Sequence, residues 1–126
     1  MADNVIVWAS IPATDLDRAV KFYEHVTGRV LMRFPGMEDQ VAAIQGPEGE
    51  YVVSADVSLA GKPGVDGPVP YLGARGDINA MIARVREAGG EVLQEPQFMG
   101  PMVGWTATFI DSEGNKIGIQ QPGDGK

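Results

Sequence analysis

A single histidine, His25, and no cysteine leave this 126-residue chain few of the side chains that perform covalent or metal chemistry. The missing thiols exclude a disulfide framework, thiolate zinc or iron-sulfur sites and a cysteine nucleophile. One imidazole is too few for the usual mononuclear metal enzyme, which takes several of its ligands from histidine. His25 also follows Phe22-Tyr23-Glu24 in a segment of helical spacing, where a rim or surface imidazole is expected. What remains is a set of polar, small and aromatic residues at alternate positions of strand-like segments: Trp8 and Ser10, Ser54 and Asp56, Gly118 and Gln120. An indole offers a broad flat surface for stacking, and a carboxylate beside it can receive a cation or an aromatic cation. A lone carboxylate in a cavity can also move a proton, so Asp56 is the candidate acid or base.

The elements that must position these residues are legible from spacing. Asn4 to Ile11 is rich in β-branched residues and stops at Pro12, as a strand should. Thr14 followed by Asp17 resembles the start of a capping box, and Leu16, Ala19, Val20, Tyr23 and Val26 then recur at helical steps until Gly28. Strands are expected at Arg29 to Phe34, Gln40 to Gln45 and Glu50 to Ser58, separated by Pro35-Gly36 and Gly46-Pro47-Glu48-Gly49. Residues 59 to 68, with three Gly and two Pro, form a connector.

The order then repeats. Val69 to Ala74 reads as a strand, and Asp77 caps a helix whose face is Ile78, Met81, Ile82 and Val85 before Gly89-Gly90. Glu91 to Phe98, Gly104 to Ile110 and Lys116 to Gln121 read as strands. A shift of 62 places Asp15 on Asp77, Leu16 on Ile78, Gly28 on Gly90 and Val30-Leu31 on Val92-Leu93. The fold class expected is α+β, with two tandem βαβββ modules forming a cupped mixed sheet and helices on its outer face. The whole chain, 1–126, is then one domain with a first module at about 1–58 and a second at about 69–122. One module alone has too little chain to bury both faces of its sheet, so the two must pack together or exchange copies with another chain. Val5, Val7, Ala9 and Ile11, Val53, Ala55 and Val57, and Ile117 and Ile119 suit the helix-covered face. The opposite, mixed face becomes a bowl lined by Trp8, Ser10, Ser54, Asp56, Gly118 and Gln120, with Met32, Phe34 and Trp105 as neighbours.

Composition bounds the partners. Hydrophobic residues at 44% and charged residues at 21% supply a real core and exclude intrinsic disorder. The net charge of -7, without a basic cluster, argues against nucleic acid and for a soluble surface. There is no basic start with an apolar h-region and no apolar run approaching the roughly 20 residues that span a bilayer. A cytoplasmic protein with no membrane partner is expected.

Two motifs carry a resemblance. Ile11-Pro12-Ala13-Thr14-Asp15-Leu16-Asp17-Arg18-Ala19 with Phe22-Tyr23 and Gly28, and Phe109-Ile110-Asp111-Ser112-Glu113-Gly114-Asn115-Lys116-Ile117, resemble the vicinal oxygen chelate superfamily of glyoxalases, extradiol dioxygenases and bleomycin-resistance proteins. Without any ligand, Phe22 and Tyr23 read as core, Gly114 as a left-handed turn residue, and Asp111 and Asn115 as Asx-type hydrogen-bonding groups of the last hairpin. The resemblance implies metal ligands from the first and last strand of each module. Those positions carry Trp8, Asp56, Pro70 or its neighbour Tyr71, and Gly118, so one carboxylate remains of four ligands. Glycine at 118 vacates the space where a glutamate would stand. The resemblance therefore implies a glyoxalase-like protein with no metal or other cofactor, a likeness to the branch that sequesters antibiotics, and a homodimer. What that resemblance implies as its ligand is a small organic molecule, cationic or aromatic. Two alternatives stand beside that reading: a lyase, isomerase or dioxygenase-type enzyme using Asp56 or a metal site not recognised in the sequence, and a ligand-free dimeric interaction module.

Overall fold

A computed structural model describes residues 7–45, 53–74 and 76–123, with residues 53 and 54 described by their backbone alone. In the first module, β1 (Ala9–Pro12) leads into α1 (Leu16–Thr27), followed by β2 (Leu31–Arg33), β3 (Val41–Gln45) and β4 (Val53–Ser58). The second repeats the order with β5 (Tyr71–Gly73), α2 (Ile78–Glu87), β6 (Glu91–Phe98), β7 (Trp105–Ile110) and β8 (Lys116–Gln121). Each module forms its own four-stranded mixed sheet, in the orders β1-β4-β3-β2 and β5-β8-β7-β6. The first and last strands of each module pair in parallel and the rest antiparallel. The expected α+β architecture of tandem βαβββ modules is therefore present.

Several boundaries differ from expectation for local reasons. The first strand begins at Ala9, because Val7 and Trp8 precede the residues that pair with β4; Asn4 to Ile6 lie outside the described residues. The turn at 46–49 and the start of the fourth expected strand, Glu50 to Val52, also lie outside them. Asp15, not Thr14, caps α1: its Oδ1 accepts from the Arg18 N–H at 3.1 Å, and Asp77 does the same for Asn79 at 2.9 Å. The two caps are the residues that the internal repeat superposes. Gly28 ends α1 with φ 69, a left-handed conformation that costs glycine no Cβ clash.

The helix-covered faces share one core. Ile11, Ala55, Val57 and Ile44 from the first sheet join Ala107, Phe109, Ile117 and Ile119 from the second, with Phe22, Tyr23, Val26, Met81, Ile82 and Val85 from the helices. The Phe22 ring of α1 lies 6.0 Å from the Phe109 ring of β7, so the core crosses between modules. α1 packs on α2, and among the described residues no strand of one sheet runs beside a strand of the other. No helix formed by the described residues is long and apolar enough to cross a membrane.

The junction is also polar. The loop between β7 and β8 delivers Glu113 to the N-terminus of α1, where Oε1 accepts from the backbone N–H of Thr14 at 2.9 Å and of Asp15 at 3.0 Å. Arg18 Nε donates to Oε2 at 2.7 Å, and Ser112 Oγ donates to the same oxygen at 2.9 Å. Tyr23 and Asp111, both buried, form a hydrogen bond donated by the phenol. Asn115 donates to the Pro12 carbonyl at 2.7 Å and accepts from the Gly64 N–H at 3.1 Å, tying connector, first strand and last hairpin together.

Candidate functional site

The site begins with strand alternation. In β4, Ala55 and Val57 point to the core, and Asp56 falls on the opposite face, paired in register with Ser10 of β1 and Ala43 of β3. Ala43 in turn pairs with Met32 of β2. The row Ser10, Asp56, Ala43, Met32 thus runs across the face that the helix leaves. Just before β1, Trp8 turns its indole to this row and donates from Nε1 to Asp56 Oδ2 at 2.9 Å.

That contact has an unusual remainder. Asp56 is 7% exposed, and its other oxygen, Oδ1, is buried with no hydrogen-bond partner among the described residues. Leaving a buried acceptor unsatisfied costs roughly 1–3 kcal/mol, more for a charged group. Trp8 is 42% exposed. A carboxylate oxygen lacking a donor thus lies beside an aromatic surface that is open to solvent.

The second sheet carries the remaining expected residues. Gly118 of β8 is paired with Tyr71 of β5 on one side and Thr108 of β7 on the other. The space that glycine frees is not empty, as the sequence suggested, but holds the Tyr71 ring: a Cβ at 118 would lie 2.4 Å from Tyr71 Cδ2 and Cε2. Gln120 shares this face but its Nε2 donates to the Val103 carbonyl at 2.9 Å, fastening the loop between β6 and β7. Trp105, expected beside the bowl, lies on the other face of β7, where it alternates with Ala107 and Phe109, packs against the core and sits 5.5 Å from the Phe98 ring. Its parity with Phe109 was readable in the sequence. Ser54 lies on β4 two residues from Asp56, and its side chain is outside the described residues.

Trp8, Ser10 and Asp56 are therefore together on one sheet, and Gly118 and Gln120 are on the other. His25 stands away from both, on α1, half-exposed and 2.8 Å from Glu87 of α2. A depression of about 340 Å³ lined by Thr14, Asp15, Leu16, Asp17, Arg33, Asp39 and Leu59 includes none of the bowl residues. Contacts that the sequence did not reveal are the Tyr71 ring over Gly118 and the bracing hydrogen bonds of Glu113 and Gln121. Gln121 Oε1 accepts from the Ile78 N–H at 2.7 Å and so completes the start of α2.

The donor set does not fit a divalent metal. Of the positions where the resemblance requires ligands, Trp8 and Gly118 offer no coordinating side chain, and the Tyr71 ring fills the volume beside Gly118. Asp56 is the single carboxylate, engaged by Trp8. Among the described residues no group of three His, Asp or Glu could hold an ion.

This paired-module fold, with its two motifs in place, defines the class. The chain belongs to the Glyoxalase/Bleomycin resistance protein/Dioxygenase superfamily, whose profile matches residues 5–119. Solved structures similar to it include TnmS3, an antibiotic binding protein from a Streptomyces species, at 28% identity and TM-score 0.62 over 97% of this chain and 98% of that one. A hypothetical protein from S. aureus is 24% identical with TM-score 0.66 over 96% and 95%. A glyoxalase/bleomycin resistance protein from Albidiferax ferrireducens is 17% identical with TM-score 0.69 over 94% and 98%. No curated protein matches the chain by sequence.

Proposed function

We propose that this protein is a metal-free, cytoplasmic binding protein for a small organic molecule, cationic or aromatic, with a sequestering or carrier role. The bowl it uses comprises Trp8, Ser10, Ser54, Asp56, Gly118 and Gln120. The observation that carries the reading is the buried Oδ1 of Asp56, which lacks a donor beside an exposed indole. A ligand that displaces the atoms covering Oδ1 and presents an N–H there, best on a cation, satisfies that oxygen while its apolar part lies on Trp8. The likeness to TnmS3 supports a ligand of antibiotic type.

The bowl works as a homodimer. The two modules meet through their helices and a common core, while Trp8 and Tyr71 remain about half exposed on the opposite faces of separate sheets. A second copy brings the first sheet of one chain over the second sheet of the other and encloses a cavity that each chain supplies only in part.

The experiment is a thermal-shift screen of metabolites and cationic antibiotics, bleomycin among them, followed by titration monitored by tryptophan fluorescence. Asp56→Asn is the informative variant, because its amide oxygen can keep the Trp8 bond while its NH2 replaces the acceptor Oδ1. Affinity for a cationic hit should fall roughly 10- to 100-fold, the value of one hydrogen bond to a charged group. The loss should persist at high salt if the contact is buried and shrink with salt if it is exposed. A hit bound equally by Asp56→Asn and Trp8→Ala would refute the bowl. The same orphaned oxygen favours one second reading, an enzyme in which Asp56 moves a proton. Turnover of a bound compound that disappears in Asp56→Asn would select it over the carrier.

A further inference from the structure

We propose that Trp8 is an internal stand-in for the ligand of Asp56, and that this ligand is a planar cation with two parallel N–H groups, an amidinium or guanidinium carried on an apolar body. This rests on the binding reading above and names the ligand's class; the device lies within the first module of one chain. The side chains set against Asp56 in register, Ser10 and Ala43, are too short to enclose a carboxylate, yet Asp56 is buried. The large group bonded to it is the Trp8 indole, whose Nε1 is the one hydrogen-bond donor to that carboxylate among the described residues. Trp8 stands just before the ladder of β1 with β4, which begins at Ala9 and Ala55, and its side chain is partly open to solvent. The indole is therefore a cover attached ahead of the sheet's register. A turn of its side chain uncovers the acid.

The cover fits the acid only in part. An indole has a single N–H, which engages Oδ2 and leaves Oδ1 buried without a donor among the described residues. An amidinium or guanidinium presents two parallel N–H groups to the two oxygens of a carboxylate, in charge-assisted bonds roughly twice as strong as neutral ones. Exchange thus replaces one bond from a neutral donor by two from a cation, and it removes the orphaned oxygen. The released indole then lies over the ligand's apolar body, as the binding reading requires. A neutral amide has a carbonyl where the second N–H is needed, so the exchange gains it nothing. Trp8 in this way selects by charge: the ligand competes with the indole, and its apparent affinity is the intrinsic one reduced by the fraction of molecules whose indole has left.

A competing indole and a merely stacking one give opposite signs for one substitution. Benzamidinium, and benzamide as its neutral isostere, are titrated by calorimetry into the native protein and its variants. Trp8→Phe keeps a flat ring and removes the N–H, so benzamidinium should bind it about 10- to 100-fold more tightly than the parent, the value of a hydrogen bond to a charged group that no longer has to be broken. Equal or weaker binding makes the indole a stacking surface only and overturns the stand-in. In Asp56→Asn the same change at Trp8 should alter affinity by less than about threefold, because the competing bond needs the carboxylate. Benzamide should bind at least about tenfold more weakly than benzamidinium to both parent and Trp8→Phe, and equal binding overturns selection by charge. Should Trp8→Phe not fold, the parent reports alone: on addition of benzamidinium the indole N–H resonance of Trp8 should move upfield while that of Trp105 stays, and a Trp8 resonance that keeps its place at saturation overturns the exchange. Benzamidinium that binds neither parent nor Trp8→Phe at millimolar concentration overturns the proposal outright. The binding reading is decided separately: a screening hit that loses affinity in Asp56→Asn keeps it whatever Trp8→Phe does, and hits that lose none remove both.

Discussion

Glu113 shows how much one side chain can hold. Its carboxylate has no exposed surface and gathers donors from Thr14, Asp15, Arg18 and Ser112, all but the last in the other module. Burial alone would raise its pKa, but the hydrogen bonds from Arg18, the Asp15 and Thr14 backbone and Ser112 outweigh it and bring the group to about 2. A carboxyl depressed in the folded state stabilises the protein above its unfolded pKa and loses that contribution as pH falls through the folded one. The window is therefore from about pH 4.5 down to about 2. Glu113→Gln should cost about 2 kcal/mol at pH 7, discounted for the exposed Arg18, and flatten the decline of stability over that window. Urea midpoints from pH 7 to pH 3 measure both effects, and parallel curves for parent and variant would show that another carboxylate governs acid unfolding. On the sequence Glu113 read only as part of a turn, because nothing local shows that the turn docks on α1.

At the scale of elements, the repeat superposes Gly28 on Gly90, and both follow helices, yet they are glycine for different reasons. Gly28 has φ 69 with open space where a Cβ would go, so Gly28→Ala should cost about 1 kcal/mol of backbone strain. A Cβ on Gly90 would meet Val85 Cγ1 at 2.8 Å, the Ile110 carbonyl at 3.0 Å and Phe22 at 3.1 Å. Gly90→Ala forces the helix pair and β7 apart, and overpacking of this kind costs roughly 1–3 kcal/mol. Denaturant midpoints should therefore rank parent, Gly28→Ala and Gly90→Ala in falling order, and the reverse ranking of the two variants would contradict the packing at Phe22. The glycines were legible as stop signals, but the contact with Phe22 was not, since it joins residues 68 apart in the chain.

For the whole molecule, the expectation is a dimer, which leaves the 13.4 kDa chain at twice that mass in solution. Sedimentation equilibrium at tens of micromolar checks it, and a 13.4 kDa species there would remove the two-copy bowl. Trp8→Phe should leave that mass unchanged while altering the affinity for planar cations, since Trp8 is assigned to the ligand and not to the subunit contact. A variant that dissociates the dimer would instead make Trp8 an interface residue.

Element order, the two modules and the family motifs were determined by the sequence itself, because helical and strand periods, caps and turns depend on residues only a few positions apart. Alternation also assigned Asp56 to the face opposite Ala55 and Val57, whereas Trp105, expected beside the bowl, packs against the core on the face of Phe109. Tertiary structure alone decided which of these residues meet. Trp8 reaches Asp56 across 48 positions and Thr14 reaches Glu113 across 99. The Tyr71 ring takes the space beside Gly118 that glycine was expected to leave open. A two-residue period fixes the side of a sheet on which a residue stands but carries no information about register between strands, or about how far a ring from the neighbouring strand extends over it. The unpaired oxygen of Asp56 arises at that level: burial and partners come from tertiary packing, which among the described residues gives this acceptor no donor.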